Sequence, residues 1–120
     1  MRSLSAWLAA SSCVLLVACG GSSAPRLPSN YAGPAAMQAD QAVTLLAGRS
    51  TCTARRLLLQ MQKEAIRQVN AHRIPAELQE ELLSRINDLV GVVGCGPPIG
   101  ATPTPVARAK ALAAWIRDHS

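Results

Sequence analysis

The sequence has few aromatic side chains: no phenylalanine, one tyrosine and two tryptophans among 120 residues. A core built mainly from Leu, Ile, Val, Met and Ala is thin, and small domains bury a low fraction of their surface. A disulfide bond would compensate for such a core by restricting the unfolded chain.

Residues suited to chemistry are also scarce. The two histidines, His72 and His119, lie far apart and have no acidic or cysteine neighbours at ligand spacing, so we expect no metal and no cofactor. There is no Cys-x-x-Cys, no nucleophile elbow and no glycine-rich phosphate loop. The acidic residues that open the third predicted helix are expected to complement its dipole (Glu77, Glu80, Glu81). These absences argue against an enzyme.

The first apolar run, Leu4 to Val17, is too short for a membrane-spanning helix of about 20 residues. It follows Arg2 and ends in Leu16-Val17-Ala18-Cys19, and the whole segment resembles a bacterial lipoprotein signal with its lipobox. The resemblance implies that residues 1–18 are removed and that Cys19 carries lipid. The chain would then be held on the extracytoplasmic side of a bacterial membrane, which excludes nucleic acid as a partner. The alternatives are an ordinary secreted protein cut at a small-residue site and an uncleaved anchor.

Two further cysteines, Cys52 and Cys95, flank two predicted helices that turn at Ile74-Pro75. If the helices fold back on each other, facing residues have numbers with a constant sum, because both helices rise equally per residue. Four apolar pairs share one sum with the two cysteines: Leu58 with Leu89, Met61 with Ile86, Ala65 with Leu82 and Val69 with Leu78. We therefore predict a disulfide in an oxidising compartment, with two free buried cysteines as the alternative.

The predicted fold is all-α: an antiparallel helical hairpin stapled by a disulfide, with a short helix before it and one after it. Residues 19–34, rich in Gly, Ser and Pro, are predicted to form a flexible tether, and residues 35–120 a small helical domain. The predicted helices span about 35–47, 51–72, 75–93 and 105–118. Gly48 is expected to end the first helix, which should pack across the hairpin, while Gly96 to Pro103 should form a linker. Docking of the last helix, with Trp115 at its edge, stays open.

Net charge is +5, and three cations cluster near the start of the first hairpin helix, where they oppose its dipole (Arg49, Arg55, Arg56). They form either an ordinary solvated face or a contact for anionic lipid head groups or an acidic partner.

The arrangement resembles short predicted lipoproteins of high-GC Gram-positive bacteria. They share a lipobox, a Cys-x-x-Ala opening, an Ile/Leu-Pro turn and a closing cysteine. In this sequence the opening is Cys52-Thr53-Ala54, where the alanine is one residue closer to the cysteine than in Cys-x-x-Ala. The turn is Ile74-Pro75, and the closing cysteine ends Val93-Gly94-Cys95. The resemblance implies no catalytic residue. We expect a non-enzymatic protein-interaction or envelope-associated module, with a carrier of a small hydrophobic ligand as the alternative.

Overall fold

The computed structural model describes residues 24–95 and 103–120, and the regular secondary structure of these residues is entirely helical. Its four α-helices are α1 (Ser29–Ala47), α2 (Thr51–Asn70), α3 (Ala76–Val92) and α4 (Pro103–Asp118). The all-α prediction is therefore confirmed at the level of secondary structure. The predicted linker over residues 96–102 lies outside the described residues.

The helices contact one another in a ring. Helix α1 packs against α2, α2 against α3, α3 against α4, and α4 against α1, which is the most extensive contact of the ring. Among the described residues, no comparable contact joins α1 to α3 or α2 to α4. The prediction that α1 packs across the hairpin is thus wrong, because α4 occupies the second side of α1. The last helix does dock on the rest of the domain.

Helix α1 begins at Ser29, earlier than the predicted start at Ala35. The Gly, Ser and Pro composition of this stretch suggested a tether, but Leu27 and Tyr31 are buried. Burial raises the pKa of Tyr31 to about 12. Pro34 lies inside the helix and forgoes one backbone hydrogen bond, a loss that burial of neighbouring side chains offsets. The ordered chain therefore starts well before residue 35.

The other helix boundaries differ from prediction by a few residues. Helix α4 starts at Pro103, so Thr104 is helical instead of capping the helix. Pro75 precedes the first residue of α3, and α2 ends at Asn70. Such differences leave the apolar stripes in place.

The core follows the predicted stripes closely. All five predicted positions of α3 are buried: Leu78, Leu82, Ile86, Leu89 and Val93. On α2 the stripe ends differently, because Gln68 is buried where Val69 was predicted, and Val69 is only partly buried. Gln68 tolerates this position because its amide donates a 2.8 Å hydrogen bond to Glu64.

Two helices end with the same backbone motif. After α1, Arg49 donates its N–H to the Leu46 carbonyl and Ser50 donates to Leu45, with φ of 63° at Arg49. After α2, His72 and Arg73 donate to Val69 and Gln68 in the same pattern, and φ at His72 is 59°. This is the Schellman motif, which favours glycine at its left-handed position. Helix α1 ends at Ala47, directly before Gly48 as predicted, but Gly48 has φ of −85° and Arg49 carries the left-handed conformation.

We expect Arg49→Gly to raise the free energy of unfolding by up to about 1 kcal/mol, because glycine adopts the left-handed conformation without steric cost. Arg49→Ala removes the same charge but keeps the strain, so it is the matched control and should give no gain. Urea denaturation followed by circular dichroism measures both. Equal stabilisation by the two variants would assign the effect to charge instead of backbone conformation.

Candidate functional site at the disulfide end

Cys52 and Cys95 form the predicted disulfide, which joins the first turn of α2 to the segment that follows α3. Their Cα atoms are 4.4 Å apart. Both cysteines are exposed to solvent, so the alternative of buried free thiols does not apply. We call the region around Arg49, Cys52 and Cys95 the disulfide end.

Arg55 caps the C-terminus of α3. Its Nη1 atom donates hydrogen bonds of 2.7 Å to the Val90 carbonyl and 2.8 Å to the Val93 carbonyl. Carbonyls in the last turn of a helix lack partners within the helix and carry its negative dipole end. Although Arg55 opposes the dipole of its own helix, it therefore stabilises the end of the neighbouring one.

The other two arginines of the predicted cluster are placed differently. Arg49 lies in the α1–α2 turn and Arg56 on the outer face of α2, and both are exposed. Arg55 is only partly exposed and is engaged by backbone carbonyls. The three arginines are thus near one another along the chain but are not three equivalent contacts for an anion.

A second region of the domain joins the two ends of the described chain. Leu27 donates its N–H to the His119 carbonyl at 2.6 Å, and Arg26 donates to the Ser120 carbonyl at 3.0 Å. We call these four residues the terminal end. They fix the start of the described chain to the end of α4.

A surface ion pair also ties α4 to α1, since the Arg117 guanidinium donates two hydrogen bonds to the Asp40 carboxylate. These bonds, together with the arginine's charge, lower the pKa of Asp40 below its ordinary value. Both side chains are about half exposed, so the pair contributes little stability beyond fixing the relative position of the helices.

Trp115 is buried, as expected for an edge-packing residue, with 7% of its surface exposed. The His119 ring stacks against it with centroids 4.3 Å apart, and the Arg85 guanidinium lies 5.7 Å from the ring centroid. The indole is therefore occupied by contacts within the domain.

Within residues 24–95 and 103–120, no group of three His, Cys, Asp or Glu side chains is arranged to hold a metal ion. No helix of this described part is long and apolar enough to cross a membrane. Cys19, the predicted lipidation site, lies outside the described residues. Compared with protein-family models, curated proteins and solved structures, the chain gives no match.

Sequence reasoning did not find the capping role of Arg55, which depends on the neighbouring helix. It also overlooked a charge pattern that the sequence does contain. Between Asp40 and Glu64 there is no acidic residue, and there is none between Asp88 and Asp118. These two stretches contain Arg108 and Lys110 in addition to the predicted arginines and Lys63.

We expect Arg55→Met to lower the free energy of unfolding by about 1–2 kcal/mol, since it leaves two helix-terminal carbonyls without their charged donor. Methionine keeps much of the apolar stem of arginine. Arg56→Met makes the same chemical change at a neighbouring exposed position and should alter stability by less than about 0.5 kcal/mol. Urea denaturation of both variants tests the cap, and equal losses would contradict it.

Reduction of the disulfide should destabilise the domain by up to about 4 kcal/mol, because the bond closes a loop with a sequence separation of 43. The double variant Cys52→Ser, Cys95→Ser should lose a similar amount. Since both cysteines are exposed, the substitutions create no cavity, and the loss reports on loop closure. Thermal unfolding with and without reductant measures it. A melting temperature that is insensitive to reductant would show that the bond carries no stability.

Proposed function

We propose that this chain is a lipid-anchored extracytoplasmic protein of a bacterial membrane, and that its helical domain is a non-enzymatic interaction or envelope-associated module. The lipobox sequence Leu16-Val17-Ala18-Cys19 carries the proposal. The disulfide supports it, because such bonds persist in oxidising compartments outside the cytoplasm. With Cys13 in the signal segment and Cys19 lipidated, the four cysteines of the sequence are all accounted for.

We further propose that α2 and α3 form an antiparallel hairpin. Three connections between α2 and α3 support this geometry, because the residues that they join follow opposite orders along the two helices. Cys52 is bonded to Cys95, Arg55 reaches Val90 and Val93, and Gln62 donates to Asn87 at 2.6 Å. As the residue number rises on α2, it falls on α3.

The same reasoning orients the whole domain. The pairing of Leu27 with His119 supports an antiparallel arrangement of α1 and α4, so the four helices would alternate in direction. The disulfide end then lies one helix length from the terminal end, about 28 Å for the 19 residues of α1 at about 1.5 Å per residue. From Cys19 to Arg26 the chain reaches at most about 25 Å. A lipid on Cys19 would thus hold the terminal end near the membrane and display the disulfide end away from it.

The ligand-carrier alternative has less support. Helices α1 and α4 make the most extensive contact of the ring. Their buried faces are rich in alanine, including Ala35, Ala39 and Ala42 on α1 and Ala109 and Ala113 on α4. Small side chains permit close approach of two helices and leave less room for a ligand between them.

Cys19→Ala should abolish lipidation, and the protein should no longer partition into detergent with membrane lipoproteins. Cys13→Ala changes a cysteine of the same signal segment outside the lipobox and should leave processing intact. Intact-mass spectrometry of membrane extracts measures both variants beside the wild-type chain. Wild-type protein that starts elsewhere and lacks lipid would contradict the proposal.

A further inference from the structure

Acidic side chains are unevenly distributed along the chain. The residues between Asp40 and Glu64 and those between Asp88 and Asp118 contain no carboxylate side chain. The first stretch covers the end of α1, the following turn and α2 as far as Lys63, and the second includes most of α4. The acidic residues lie outside both stretches: Asp40, Glu64, Glu77, Glu80, Glu81, Asp88 and Asp118.

The fold brings one part of each stretch to the same end. The first contains Arg49 and Cys52, which define the disulfide end. The C-terminal half of α4 lies at the terminal end, because His119 pairs with Leu27 and Trp115 lies beside Arg85 near the middle of α3. The N-terminal half of α4, with Arg108 and Lys110, therefore lies toward the disulfide end.

Five cations of these stretches have no partner among the described residues: Arg49, Arg56, Arg108 and Lys110 toward the disulfide end, and Lys63 in the second half of α2. All five are exposed, and none forms a salt bridge or a side-chain hydrogen bond within residues 24–95 and 103–120. Elsewhere, by contrast, Arg67 is paired with Glu64, Arg85 with Glu81 and Arg117 with Asp40. Toward the disulfide end the four unpaired cations outnumber the one carboxylate of the C-terminal part of α3, Asp88, whereas most cations of the rest of the domain have partners.

Stability does not explain this placement. Neither α2 nor α4 has an acidic residue in its first turn. Helix dipoles do not decide the balance, because in the proposed arrangement this end holds the C-termini of α1 and α3 as well as the N-termini of α2 and α4. Like charges that share one end of a small domain repel one another. The electrostatics of the disulfide end therefore disfavour folding, and the charges are better explained by a partner.

We infer that the disulfide end is a docking surface for an acidic segment of a partner protein; this rests on the proposed function. Uncompensated charge of one sign attracts an oppositely charged partner and speeds its association. Leu59, which is 40% exposed, lies between Arg56 and Lys63 at helical spacings of three and four residues, so an apolar side chain stands between two cations on α2.

This combination fits a peptide that carries both carboxylates and apolar groups. The anchoring membrane fits less well, because the short chain between Cys19 and Arg26 ties the opposite end to it. Binding of anionic lipid head groups at the disulfide end is therefore the alternative result that the test distinguishes.

The probe is poly-L-glutamate, titrated against the lipid-anchored protein held in phosphatidylcholine nanodiscs at low and physiological salt. The double variant Arg49→Glu, Arg56→Glu should weaken binding by about tenfold or more. The matched control is Arg67→Glu, Arg73→Glu, which changes net charge equally but on the part of the domain near the terminal end, and it should retain most of the affinity. A copolymer of Glu and Tyr should bind more tightly than poly-L-glutamate, and Leu59→Ser should remove that difference.

Equal losses in the two double variants would overturn the inference and assign binding to net charge. The inference also fails if added phosphatidylglycerol vesicles bind through Arg49 and Arg56 while poly-L-glutamate does not bind. Circular dichroism establishes that each variant is folded. Intact mass reports separately on the lipid, so failure of the anchor and failure of the docking surface are distinguishable.

Discussion

The structure depends on the connection between the beginning of α2 and the end of α3. A covalent bond from Cys52 to Cys95 and the hydrogen bonds of Arg55 hold the last turn of α3 in place. The two contacts act on different states of the chain. The disulfide mainly limits the conformations of the unfolded chain, whereas Arg55 satisfies carbonyls of the folded one. Since they fix the same helix end, their contributions to stability should be coupled and not simply additive.

The remaining two helices complete the core in a different way. Helices α1 and α4 contribute mostly alanine to it, with five larger buried side chains: Tyr31, Leu46, Leu112, Trp115 and Ile116. Alanine loses little conformational entropy on burial but also buries little apolar surface, so such an interface gains stability from its length more than from any single residue. The ties between Leu27 and His119 and between Arg26 and Ser120 fix the two helices at one end. A domain without phenylalanine can thus enclose a core by combining close helix packing with covalent and polar connections at its two ends.

The sequence was sufficient for features that depend on local spacing. The five buried positions of α3 and the pairing of Cys52 with Cys95 follow from helical periodicity and equal helix rise. Features set by tertiary contacts were not predictable in this way. The start of α1 at Ser29 depends on burial of Tyr31, which outweighs the local Gly, Ser and Pro composition, and the cap by Arg55 requires the end of a neighbouring helix. Alanine stripes, moreover, indicate close packing without specifying the partner, so the neighbours of α1 could not be assigned.

The disulfide end is also the part of the domain where the protein's own charges disfavour folding. Arg49 adopts a left-handed conformation in the turn, and unpaired cations follow at Arg56 on α2 and at Arg108 and Lys110 on α4, where like charges repel one another. These terms reduce the stability of the folded domain, and the disulfide at the same end offsets them. Because the stabilising bond is covalent and lies among exposed residues, it leaves the cations free of internal partners. A carboxylate that paired with them would relieve the repulsion as well, but it would remove the charge that an acidic partner needs. The disulfide and the unpaired cations thus lie at the same end of the domain. This arrangement most directly connects the stability of the domain with the binding role that we infer for it.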